Sequence, residues 1–230
     1  MNQLSVNDLT ETQDLLELRT FAYDILRRVF LAEPTKEVVT QLQNGIIDSF
    51  PFKDENMKLN EGIEQVSNYL KTFTIDKNFE QLHWDYTRMF IGPYQVPVPI
   101  WESAYVNKDG LLFQEETLQV RRLYLKNNLL SMQFGREAED HLGLELDFMY
   151  HLSNLLTDLV KEENVEQLYK TVVDQNSFLK EHLLNWTPQF CEKVSISADT
   201  GFYKGMAKIL NGFLLIDKIC LEELLARTKQ

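Results

Sequence analysis

The chain has 230 residues, 44% of them hydrophobic and 25% charged, which suits a folded protein with a sizeable core and excludes a disordered or fibrous one. A formal net charge of -12 and a pI near 4.8 exclude nucleic acid as the leading partner, because phosphate binding is driven by Lys and Arg displacing counterions. Two cysteines without Cys-x-x-Cys spacing, Cys191 and Cys220, exclude a disulfide framework and a zinc site, and no apolar run of about 18 residues offers a membrane span.

Met1 to Asp8 lacks the basic start and apolar run of a secretory signal, so the expected compartment is the reducing cytoplasm. Leu15, Leu18, Ala22, Ile25, Leu26 and Val29 recur at helical spacing, and Thr10 with Gln13 offers a capping box at the start of that segment. Pro34 suits the first turn of a second helix, whose apolar face is Val38, Val39, Leu42 and Ile46 and which Pro51 ends. A third helix runs through Ile63, Val66, Leu70 and Phe73. A fourth carries Phe79, Leu82, Tyr86, Met89 and Phe90 and stops at Gly92-Pro93.

Helical periodicity resumes with Leu118, Arg121, Tyr124 and Leu125 and breaks near Gly135. Leu142 to Leu159 is apolar on much of its circumference, as a central helix would be. Val165, Leu168, Val172, Phe178, Leu179 and Leu183 form another, and Phe202 to Leu224 a last long one. No repeat or alternating strand pattern interrupts them. The expected fold is all-α: a single-domain helical bundle over 1–230, with N-terminal helices in 10–92, one long Pro-rich loop at 92–110 and C-terminal helices in 113–228.

Two stretches depart from this plain pattern. In the loop, Pro93, Pro97 and Pro99 hold the backbone extended ahead of Ile100-Trp101-Glu102-Ser103-Ala104-Tyr105, and long ordered loops are uncommon without a task. The simpler alternative is a rigid crossover that tucks Trp101 and Tyr105 into the core. In the second stretch, a helical reading puts Glu137, His141, Leu144, Glu145, Phe148 and Leu152 on one face, so acids and an imidazole interrupt an apolar stripe. Such groups must be paired inside the fold or line a cleft.

A di-iron type site would need Glu-x-x-His pairs on two helices, and only one candidate helix is present, so no metal is assigned. Asp140, His141 and Glu145 could serve as acid and base, but no nucleophile, phosphate-cradling loop or cofactor motif accompanies them. A recognition groove is the third reading: carboxylates pair with Arg forks, and loop aromatics take the apolar part of a basic peptide.

Three segments carry a family resemblance: Tyr86-Thr87-Arg88-Met89-Phe90-Ile91-Gly92-Pro93, then Pro97 through Tyr105, then Glu137-Ala138-Glu139-Asp140-His141-Leu142 running into Glu145-Leu146-Asp147-Phe148-Met149. In order and separation they resemble the TorD/DmsD family of redox-enzyme maturation chaperones. The family pattern has proline where Ala138 stands, which bears on where the following helix starts. The resemblance implies a cytoplasmic, non-enzymatic chaperone without cofactor. Its implied partners are the twin-arginine leader and the apo catalytic subunit of a molybdopterin-dependent oxidoreductase of the dimethyl-sulfoxide-reductase type, which it guards until cofactor insertion. It also implies a peptide site around Tyr86, Met89, Phe90, Pro99, Trp101, Ser103, Asp140 and His141; the charge of an arginine pair adds the expectation that Glu137 or Glu145 supports Asp140. Either a monomer or a dimer fits. The alternatives are a nitrate-reductase-type assembly chaperone for a partner that is not exported, and a small hydrolase or nucleotide-binding enzyme using Asp140 and His141.

Overall fold

The periodic stretches fold as helices, in a computed structural model that describes residues 6–93, 96–107, 111, 114–131 and 134–228, with side chains from residue 11 onward. Tyr94, Gln95 and the loop's end at 108–110 lie outside the described residues. In chain order the helices are α1 (Val6–Phe30), α2 (Lys36–Gln41), α3 (Met57–Lys71), α4 (Ile75–Tyr86), α5 (Ser103–Val106), α6 (Glu115–Lys126), α7 (Leu142–Lys161), α8 (Val165–Phe178), α9 (Leu184–Ser197) and α10 (Gly201–Thr228). Wider, π-type turns occupy Leu42–Ile46, Thr87–Ile91 and Leu179–Leu183. Among the described residues there is no strand, only an isolated antiparallel bridge between Trp101 and His141.

The apolar positions converge on one continuous core that draws on both halves of the chain. α10 lies against α3 with almost no side chain between them: a Cβ on Gly62 would fall 2.8 Å from the Gly205 carbonyl oxygen. α7, flanked by α1 and α8, is buried on most sides, as its apolar circumference requires. No helix among the described residues is long and apolar enough to cross a membrane.

Two buried polar networks fasten this core. The Arg19 guanidinium of α1 meets Asp217 of α10 at 2.5 Å and Gln175 of α8 at 2.9 Å, and the Tyr23 hydroxyl donates to Asp217 at 2.6 Å. Asp85 of α4 accepts from the Asp199 and Thr200 amides at 3.0 and 2.8 Å and from the Thr200 hydroxyl at 2.7 Å, so it satisfies orphan donors ahead of α10.

Several expected boundaries shift. α1 already runs from Val6, so Thr10 sits within the helix and not at its cap. Thr35 caps α2 through its side chain, leaving Pro34 outside. Phe178 to Ser197 holds a π-type turn and a further helix, α9, which carries Pro188 inside it just past its first turn. The Pro-rich stretch contains the single turn of α5.

The start of α7 differs most. The helix begins at Leu142, and Glu137 to His141 are not helical, so Glu137 and His141 share no helical face with Glu145. The competing bonds are visible: the Leu142 amide donates to the Ile100 carbonyl at 2.9 Å, and the Glu102 amide to the Asp140 carbonyl at 2.9 Å. Backbone pairing with the loop replaces the first helical turn.

Candidate functional site

The three distinctive segments meet where that pairing occurs. The Val98 amide donates to the Met89 carbonyl at 3.2 Å, tying the extended loop to the turn that ends the fourth helical stretch. Gly92 closes this turn at φ 93°, a conformation that disfavours any residue with a Cβ. The Trp101–His141 bridge then joins the loop to the segment ahead of α7.

Asp140 is fully buried and holds the loop in place. One oxygen accepts the Ser103 amide at 2.9 Å and the other the Thr117 hydroxyl at 2.8 Å, which anchors α5 and α6 together. Glu139 beside it is also buried and receives both arms of the Arg121 guanidinium at 2.9 Å. His141 caps α7: its Nδ1 accepts the Gly143 amide at 3.0 Å. An acceptor nitrogen carries no proton, so the neutral ring has its hydrogen on Nε2. Burial lowers its pKa from 6.5 to about 4, against the opposing pull of Glu137 and Asp140.

That shift sets a pH dependence. A lowered imidazole pKa means that the unfolded chain takes up the proton first, so this contribution is full above pH 6.5 and is lost as pH falls toward 4. In His141→Ser, a hydroxyl keeps the cap. The stability advantage of wild type over this variant should shrink by roughly 2 kcal/mol between pH 7 and 5 in urea titrations. An unchanged difference would mean that the ring is not held neutral by the fold.

Beneath the junction lies a second polar cluster. Glu102 meets the His182 ring at 2.8 Å, and the Trp186 indole donates to Glu145 at 3.2 Å. Burial first, then the Glu102 and Asp140 carboxylates, push the Glu145 carboxyl well above the usual range, so it keeps its proton. Glu145 is therefore a neutral, fully buried link between α7 and Trp186 of α9.

The expected peptide-site residues thus divide by access. Tyr86, Met89, Phe90, Ser103, Asp140 and Glu145 are enclosed; Phe90 stacks on Phe190, and the Tyr86 hydroxyl donates to the Phe30 carbonyl at 3.3 Å. Met89 and Phe90 form a floor, not the surface. Pro99, Trp101 and Glu137 remain partly open, with the Trp101 indole donating to Glu137 at 2.8 Å. Glu33, just beyond α1, went unrecognised in the sequence, yet it and Glu137 both act on the buried Tyr86 hydroxyl, whose pKa burial has already raised. No local signal marks Glu33, because only tertiary packing brings it there. Nearby, Trp84 and Ile91 are more than half exposed, and Trp84 lines a shallow cavity of about 270 Å³ with Gln81, Arg88 and Pro93. Among the described residues no group of three or more His, Cys, Asp or Glu side chains is placed to hold a metal ion.

Comparison with known proteins follows the same segments. A family model described as the nitrate reductase delta subunit matches residues 56–192, more than half of the chain. Chaperone protein TorD of Vibrio cholerae serotype O1 is 27% identical over 223 residues, covering 96% of this chain and 99% of that protein. The chaperones of the same name from Vibrio atlanticus and Aliivibrio salmonicida are each 27% identical over 211 residues, 91% of this chain and 97% of theirs.

Proposed function

Since the chain belongs to the TorD/DmsD family, described by the nitrate reductase delta subunit model, we propose that it is a cytoplasmic chaperone for the catalytic subunit of a molybdenum enzyme of the dimethyl-sulfoxide-reductase type. It binds the client's twin-arginine leader and its apo form until cofactor insertion is complete. The observation that carries this reading is the meeting of the three family segments at one junction, with Trp101 and Glu137 at its open edge. An anionic edge next to exposed Trp84 and Ile91 matches a leader in which guanidinium groups precede an apolar run.

The enzymatic alternative finds little support. The relatives are named chaperones, and Asp140 is fully buried with each oxygen holding a donor of the fold, which keeps it from a substrate. The family description keeps a second reading open, an assembly chaperone for a partner that is not exported.

Calorimetric titration tests the proposal with a synthetic peptide in which two adjacent arginines precede a leucine-rich run. Its lysine-for-arginine analogue should bind at least about tenfold more weakly, because an ammonium cannot make the bidentate contact. Equal affinity for the two peptides would remove twin-arginine recognition. A co-purified precursor without a leader would favour the second reading.

A further inference from the structure

Although α10 packs against α1, α3, α8 and α9, one stripe of it stays open to solvent. Lys208, Asn211, Leu215, Ile219, Glu222 and Ala226 are exposed or half-exposed and recur every three or four residues, so they follow one line along the helix. The middle of that line is apolar, with Leu215 45% and Ile219 57% exposed. The start of α3 adds to it. α3 runs antiparallel to α10, Tyr69 lying beside Gly201 and Leu59 beside Gly212, so its first residue, Met57, comes in level with Leu215 and is 80% exposed. Three large apolar side chains thus gather on the outside of a chain whose net charge is -12.

The two ends of the stripe differ in charge. Lys204 and Lys208 stand before the apolar pair, and Glu222 and Glu223 follow it. Lys208 meets Glu61 at 3.4 Å and Glu222 meets Lys180 at 2.8 Å, whereas Lys204 and Glu223 have no ion-pair partner among the described residues. Exposed pairs of this kind contribute little and leave both groups able to meet a further charge. A stripe that is basic, then apolar, then acidic is complementary to itself when reversed. With two such helices antiparallel and Leu215 of one on Ile219 of the other, Lys208 falls opposite Ala226. That is one turn of about 5.4 Å from Glu222, a gap that a lysine stem spans. Laid parallel, the helices would set lysine on lysine and glutamate on glutamate, so the charges select the antiparallel arrangement.

We infer that the open stripe of α10, with Met57 beside it, is a docking face for a second copy of this chain, which lies on it antiparallel about a two-fold axis. A second copy carries the required pattern by construction, and because each copy uses the same patch the association closes at two. The inference stands apart from the leader-binding reading and concerns a surface that the junction does not use. One helix and the tip of another cover less than about 1,200 Å² in total, the range of weak and reversible encounters, so the Kd should be on the order of 10–100 µM.

Sedimentation equilibrium of the full-length protein tests this between about 5 and 500 µM. The salt is set near 0.15 M, where repulsion between two copies of net charge -12 is screened beyond about 8 Å. Wild type should follow a monomer–dimer equilibrium. Ile219→Asp buries a charge at the centre and should weaken pairing at least about tenfold, while thermal unfolding stays close to wild type because the residue is exposed in the single copy. Lys208→Glu sets like charges together at both ends, as does the double variant Glu222→Lys with Glu223→Lys, and each should pair about 3 to 10 times more weakly. Mixing these two proteins should restore pairing close to the wild-type strength, since every end is then complementary again; a change in the fold of either would not be repaired by mixing. Wild type that stays monomeric to about 500 µM would overturn the inference. So would a dimer indifferent to Ile219→Asp, or a mixture that pairs no better than its two components.

Discussion

Asp217→Ala is expected to cost about 3–5 kcal/mol, the largest loss of any single truncation in the polar core, because it strands a guanidinium in a fully buried site. Arg19 would keep only its bond to Gln175, and its Nη1 already lacks a partner. Tyr23 would lose the acceptor of its hydroxyl as well. In a chain of this length the loss corresponds to a fall of roughly 10 °C in Tm. Replacing the whole group with apolar residues, Arg19→Met with Tyr23→Phe and Asp217→Leu, should recover most of it, since buried ion pairs add little over well-packed hydrophobic groups. Thermal scans of the single and triple variants decide the matter. If Asp217→Ala remains within about 1 kcal/mol of wild type, the interior must admit water to Arg19. The consequence reaches beyond stability: this network fixes α1 against α8 and α10, and the same helix leads to Glu33.

The helices were legible in the sequence because apolar spacing reports burial directly. Leu59, Ile63, Val66 and Leu70 show it for α3, and the apolar run from Leu142 shows it for α7. The three family segments were legible too, as unusual runs of proline, aromatic and acidic residues. What those runs could not convey was orientation. Met89 and Phe90 look like exposed anchors in a motif, yet they lie beneath it. Glu137 and His141 are four apart, which reads as one helical face, but the bonds that decide their conformation go to Ile100 and Glu102, about forty residues upstream. Local periodicity carries no information about a backbone partner so far away. Asp140 was expected at a peptide site, whereas the bonds that its two oxygens accept make it a fastener of the loop. Glu33 was invisible altogether, since its relation to Glu137 exists only after α1 docks on α7.

That docking depends on a single missing methyl group, and Gly143→Ala tests it. A Cβ at Gly143 would fall 2.3 Å from the Leu31 Cα and 2.7 Å from its amide nitrogen, so the obstacle is backbone and no rotamer change relieves it. The last turn of α1 and the first turn of α7 would have to separate. Overpacking of this kind should cost about 3 kcal/mol or more, roughly 10 °C in Tm. The movement would also spread the junction proposed for leader binding, because Glu33 follows Leu31 by two residues and the Gly143 amide is the group that His141 caps. Affinity for the arginine peptide should therefore fall at least about tenfold, measured well below the variant's own Tm where its helical circular dichroism is intact. Gly201→Ala is the matched control: its new methyl would meet only the Tyr69 side chain at 3.7 Å, an ordinary contact, so stability and affinity should stay near wild type. A Gly143→Ala protein that melts with wild type would show that α1 and α7 do not touch as closely as 2.3 Å implies. One that melts early yet binds the peptide undiminished would instead separate the packing of these helices from recognition at their junction.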